Sequence, residues 1–215
     1  MIPSFPENRL DPIGRWNKTW QHLGMEPPDE LVQKLLAAYQ EPHRAYHTPR
    51  HLQECFTYLD ASPVRPIDPG ALELALWFHD AIYDPKASDN EARSAAWALK
   101  ALTMLSGDIR QRVGNLVMVT KHTHAPTHPD EELLLDIDLS ILGASPERFQ
   151  EYEKQIRQEY IWVPEEAYKT ARARILAEFK TRPILYHTTH FRRLLEASAR
   201  TNLQRSLDEL LTRAE

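Results

Sequence analysis

Sixteen prolines set mainly at segment borders, against only six glycines, make this 215-residue chain a series of helices joined by stiff turns rather than a set of hairpins. No segment carries a good strand pattern. Apolar spacing and border residues place a helix over residues 28–40, through Leu31, Leu35 and Leu36. They place another over 49–59, behind a Thr48-Pro49 start in which proline takes the first helical position. Asp68-Pro69 repeats that start signal and leads through Leu72, Leu74, Ala75 and Leu76 into His79-Asp80. Ser88 and Glu91 have capping-box spacing and open a helix that stops near Gly107. Residues 109–121 continue the pattern, and residues 130–142 close at Gly143. Further helices start at Ser145-Pro146 and Val163-Pro164, and residues 189–213 form the last. The length is ample for one sizeable core and forces no second domain, so the expectation is an all-α fold, one compact domain over residues 1–215.

The balance of charge narrows the partners. With 26 basic and 31 acidic residues the net charge is -5, so no overall positive field attracts nucleic acid, and a small-molecule partner is expected. One cysteine, Cys55, excludes an internal disulfide and fits a reducing compartment. Residues 1–10 lack both a basic start and an apolar stretch, and no window approaches a membrane-spanning length, so the expectation is a cytoplasmic protein with no membrane partner.

The chemistry concentrates in Trp77-Phe78-His79-Asp80, where an apolar helical run ends in an imidazole beside a carboxylate. Burying two such side chains is costly unless something compensates them, and a divalent cation is the commonest compensator. A histidine upstream, His47, and an acidic pair downstream, Asp136 and Asp138, supply further ligands. Two imidazoles and two carboxylates would neutralise a divalent ion and leave positions open for water and substrate. Asp136 and Asp138 project about 200° apart on a helix, so only one of them can face the ion. Of the ten histidines, His51, His122, His124 and His128 also lie near these segments.

Taken in order, His47, His79-Asp80 and Asp138 resemble the H…HD…D signature of the HD-domain superfamily of metal-dependent phosphohydrolases. The blocks Arg44-Ala45-Tyr46-His47-Thr48-Pro49-Arg50-His51, Trp77-Phe78-His79-Asp80-Ala81-Ile82-Tyr83-Asp84, Asp89-Asn90-Glu91-Ala92-Arg93-Ser94-Ala95 and Asp138-Leu139-Ser140-Ile141-Leu142-Gly143 are similar to one branch of predicted HD phosphohydrolases. Arg182-Pro183-Ile184-Leu185-Tyr186 and Glu196-Ala197-Ser198-Ala199-Arg200-Thr201-Asn202-Leu203 are similar to that branch's carboxy-terminal pattern, so the likeness spans most of the chain.

The resemblance implies an HD-type helical bundle in which His47, His79, Asp80 and Asp138 hold one cation. Within the acidic pair it points to Asp138 and leaves Asp136 as a surface or supporting group. His51, which falls in the first helical turn, reads as a supporting or packing residue. Nitrogen and carboxylate ligands suit Mn, Fe, Co, Ni or Zn better than an all-oxygen calcium site. The implied activity is hydrolysis of a small phosphorylated metabolite, a nucleotide by analogy with the superfamily, through metal-activated water. Catalytic candidates are Asp80, with Asp84 and Glu91 as groups that orient water or accept its proton. For Glu91 the capping-box role competes. Arg44, Lys121, His122 and Arg182 are the candidate phosphate contacts, with Arg172 a further arginine of the same kind, while His124 and His128 read as loop residues. Two alternatives remain: a dinuclear iron oxygenase of HD type, for which Glu91 and His122 fall one imidazole short, and a non-catalytic nucleotide-binding regulatory module.

Overall fold

A computed structural model describes residues 11–212. Residues 1–10, read above as lacking a targeting segment, lie outside the described residues, as does residue 213 of the last helix. All described regular structure is helical: α1 (Pro12–His22), α2 (Asp29–Tyr39), α3 (Pro49–Ala61), α4 (Pro69–Phe78), α5 (Asn90–Ala101), α6 (Gly107–Val119), α7 (Pro129–Asp138), a 3-10 turn (Leu139–Gly143), α8 (Pro146–Glu159), α9 (Glu165–Thr181) and α10 (Thr189–Thr212). The fold is all-α, as the proline placement and the missing strand pattern require.

Helix α4 organises the bundle. Every residue from Gly70 to Phe78 is buried, and a helix that is apolar all round belongs in an interior rather than on a surface. It packs against α1, α3, α5, α6 and α7, and its one acidic residue, Glu73, is neutralised where it lies. Arg15 Nη2 is 2.8 Å from Glu73 Oε1, and the Thr19 hydroxyl donates to Oε2 at 2.7 Å. Both partners come from α1, the one helix that sequence periodicity did not assign. Its apolar stripe is short, but Trp16 and Trp20 are fully buried, and Trp16 meets Trp77 edge to face with centroids 5.3 Å apart.

Three borders differ from the sequence expectation. Helix α5 ends at Ala101 rather than near Gly107, which opens α6 behind the Ser106 cap. The Ser88–Glu91 capping box does not form. Asp89 takes the N-cap position with no side-chain cap bond, so Glu91 is released from that duty. Residues 130–142 are not one helix, because α7 stops at Asp138 and tightens into the 3-10 turn. That turn lies against α10, where Asn202 Nδ2 donates to the carbonyls of Leu142 and Ala144 at 2.9 Å each. Gly143 is needed there, since a Cβ would stand 2.9 Å from the Leu195 carbonyl oxygen. Asp138 is thereby held at a helix end fixed from both sides.

Candidate metal centre

The end of α4 sets the chemistry of His79. Its Nδ1 lies 2.8 Å from the Leu76 carbonyl, which can only accept, so Nδ1 carries the proton and Nε2 of the neutral ring is the free lone pair. Around that atom stand Asp80 Oδ2 at 3.0 Å, His51 Nε2 at 3.0 Å and Asp138 Oδ1 at 3.7 Å. His51 Nε2 is also 3.4 Å from Asp138 Oδ1 and 3.6 Å from Asp80 Oδ2. Ligand atoms about 2.1 Å from one cation would stand about 3.0 Å apart at octahedral angles and about 3.4 Å apart at tetrahedral ones. The five separations above, 3.0–3.7 Å, are of that size. Two imidazole Nε2 atoms facing each other at 3.0 Å between carboxylates are otherwise a poor arrangement, and a proton or a cation must lie between them.

The histidine whose Nε2 stands 3.0 Å from His79 Nε2 and 3.6 Å from Asp80 Oδ2 is His51. Pro49 starts α3, and His51, 2 % exposed in its first turn, points inward. His47 precedes the helix and is turned to a different partner. Its Nδ1 meets Glu159 Oε2 at 2.7 Å, and its ring stacks on Tyr83 at 4.0 Å. His51, His79, Asp80 and Asp138 are thus the group whose ligand atoms meet, while His47, expected as a ligand, lines the same cavity as Asp80 with its Nδ1 held by Glu159.

His51, Cys55 and His79 also bring one ligand atom each within 4.8 Å of one another, a grouping able to hold a metal ion. The thiol is the weakest member. Cys55 Sγ lies 3.8 Å from both ring nitrogens of His51, equidistant from the two and so aligned with neither lone pair. Burial also pushes its pKa well up, against the thiolate a metal would need. The carboxylates of Asp80 and Asp138 are better placed to complete the set.

Electrostatics agree with a cation here. Burial works against a charged His79, but the Asp80 carboxylate overrides it and holds the imidazole pKa up at about 9. Burial likewise opposes ionised Asp80, yet His79 and His47 hold its pKa far below the carboxylate range. The hydrogen bond from His122 does the same for Asp138. Without metal, a proton on His79 takes the place of the ion.

Asp80 and Asp138 floor a cavity of about 420 Å³, with His51 and His79 buried behind them. Glu91, Lys121 and His122 line it. Glu91 is half-buried at the start of α5, where the helix dipole favours its charge, and no hydrogen bond among the described residues holds its carboxylate. His122 adopts φ +56°, a left-handed conformation uncommon for a non-glycine residue, and so brings Nε2 within 3.1 Å of Asp138 Oδ2. Its Nδ1 is buried without a partner. Lys121 is exposed at the rim, its Nζ 3.4 Å from the Ser88 carbonyl.

Other sequence candidates lie elsewhere or are already engaged. Arg44 is buried and serves as a clamp. It donates to Glu41 and to the carbonyls of His47, Asp80 and Ala81, which leaves no free edge for phosphate. Arg182 donates to the His122 carbonyl and covers Phe179, so it braces the left-handed residue from behind. Arg172 is buried against Glu153. Asp84 is exposed on a different cleft, its carboxylate capping its own loop through Lys86 N, and it does not face the centre. Asp136 is fully buried rather than superficial. It accepts from the backbone N–H groups of His187 and Thr188 and from the Thr188 hydroxyl, and so pins the start of α10. His128 caps α7, and His124 is an exposed loop residue.

Glu159 was the group that sequence reading passed over. Oε1 accepts the backbone N–H groups of Ala45, Tyr46 and His47 at 2.8, 2.8 and 3.0 Å, and Oε2 faces His47 Nδ1 and the Tyr83 hydroxyl. The signal was available: Phe149, Tyr152, Ile156 and Glu159 are one buried stripe of α8, and an acid at the end of such a stripe needs a polar partner.

Compared with known proteins, the chain matches no family model, no curated protein and no solved structure. The functional reading therefore rests on the site and on the resemblance of the sequence blocks that form it.

Proposed function

We propose that this chain is a metal-dependent phosphohydrolase with a centre of HD type. It would act on a small phosphorylated metabolite, a nucleotide by the superfamily resemblance. The observation that carries the reading is the meeting of two imidazoles and two carboxylates from α3, the end of α4 and the end of α7, with distances of 3.0–3.7 Å between their ligand atoms, at the floor of an open cavity. A divalent ion of the Mn, Fe, Co, Ni or Zn group would lower the pKa of bound water and polarise a phosphoryl oxygen there.

The chain's own residues divide the remaining work. His79 is fixed in one tautomer by the Leu76 carbonyl, so it offers Nε2 with no rearrangement. Glu91, in the cavity and free of its expected cap, is the carboxylate that orients water and accepts its proton. Lys121 at the rim supplies positive charge for phosphate, and His122 ties Asp138 to the same wall. Arg44 and Glu159 act through the backbone, holding the loop before α3 against the HD turn.

Elemental analysis of purified protein, followed by phosphate-release assays with added Mn, Co, Ni or Zn against nucleotides and sugar phosphates, tests this reading. Stoichiometric metal with turnover supports it. Metal with oxygen consumption and an iron resonance signal, but no phosphate release, moves the assignment to the oxygenase alternative.

A further inference from the structure

The metal cavity has a neighbouring lobe of different chemistry. Tyr152, Ile156 and Tyr160 from the α8 side and Tyr168, Ala171 and Ile175 from α9 line a slot of about 260 Å³. His47, Tyr83, Tyr152 and Tyr160 belong to the walls of both lobes, so the two adjoin across these side chains. One lobe carries ligand carboxylates, imidazoles and a lysine, while the other is aromatic and aliphatic apart from Arg172, whose guanidinium is paired with Glu153. Ile175 is 38 % exposed in it, and the Tyr168 hydroxyl has no hydrogen-bond partner.

We propose that this slot is the specificity pocket of the site, taking a flat aromatic ring attached to the phosphoryl group that the metal lobe receives. The inference rests on the phosphohydrolase reading for the identity of the polar end. Three features determine the class of ligand. The volume is below that of pockets for drug-sized molecules and suits one ring system. Tyrosine faces and edges around a slot favour a planar group, which they can meet by offset or edge contact. The stacked pair His47 and Tyr83, centroids 4.0 Å apart, forms the partition between the lobes, and the buried Glu159 carboxylate locks both rings through Nδ1 and the hydroxyl. A ring on one side and a phosphoryl group on the other would straddle that partition. A phosphorylated polyol would leave the slot's apolar wall facing water and gain nothing from it.

Binding of phenylphosphonate and methylphosphonate to the manganese-loaded protein, measured by isothermal titration calorimetry, tests the slot without any turnover. Both carry the same charged head, so their difference reports the slot alone. The wild type should bind the phenyl compound about tenfold to a hundredfold more tightly, the return from taking an aromatic ring out of water. Ala171→Trp, which fills the slot from an exposed helix position, and Ile175→Glu, which makes its mouth polar, should each abolish that preference while methylphosphonate affinity and helical content stay the same. Equal affinities in the wild type, or a preference that survives both substitutions, would overturn the proposal. Slot-dependent binding without hydrolysis of any phosphate ester would remove the phosphohydrolase reading and leave the slot. Hydrolysis indifferent to the aromatic group would do the reverse.

Discussion

Replacing Glu159 by glutamine isolates the charge that holds the wall of the centre. The carboxylate is 3 % exposed and faces five donors, three of them backbone N–H groups of residues 45–47. Burial opposes its ionisation, but His47 and the backbone donors win and lower its pKa from the ordinary 4.5 to about 2. A depressed carboxylate pKa contributes stability above the unfolded value, and that stability is lost as pH falls through the folded value. A lowering of that size is worth about 3 kcal/mol at pH 7, and linkage leaves only about 1 kcal/mol of it at pH 3. Glu159→Gln keeps the shape and an acceptor for the N–H groups, so denaturant unfolding of the two proteins at both pH values reads this charge term. The variant should be less stable by about 3 kcal/mol at pH 7, with the gap narrowing by more than half at pH 3. A gap below about 1 kcal/mol at pH 7, or one that does not change with pH, would refute the reasoning.

The other expectations follow from the same geometry. Asp138→Asn should weaken metal binding far more than Asp136→Asn. Asp136→Asn should instead lower stability by about 1–3 kcal/mol through the start of α10, and equal metal loss in both would move the ligand. Glu91→Gln should reduce turnover by about 100-fold or more while the metal content stays stoichiometric, because Glu91 lines the cavity without touching the four ligands. Unchanged turnover would remove it from catalysis. Arg44→Lys should destabilise the protein and leave phosphate affinity intact once folded, since the guanidinium is spent on Glu41 and three carbonyls. A change in substrate KM without loss of stability would contradict the clamp.

How far the site was legible in the sequence follows from what each signal measures. Proline borders and apolar spacing report local geometry, and they located most of the helices, including the end of α4 that carries His79 and Asp80. They also separated Asp136 from Asp138, because side chains two apart on one helix must diverge. They could not choose between His47 and His51. That choice depends on where α3 starts relative to α8 and on Glu159, which captures His47 from more than a hundred residues away. The arginines failed for a related reason. A guanidinium written in a motif can bind phosphate or tie down carbonyls, and Arg44 was already committed by chain segments that meet only in the fold. Helix α1 escaped because its buried stripe is little more than Trp16, Thr19 and Trp20, and its partners lie in α4.

The identity of the metal-binding histidine is where the account is most exposed. His51→Ala and His47→Ala, each checked for helical content by far-UV circular dichroism and then analysed for bound metal after manganese loading and gel filtration, decide it directly. The account predicts that His51→Ala loses the ion and His47→Ala keeps it at wild-type stoichiometry. Metal retained in His51→Ala and lost in His47→Ala would contradict it.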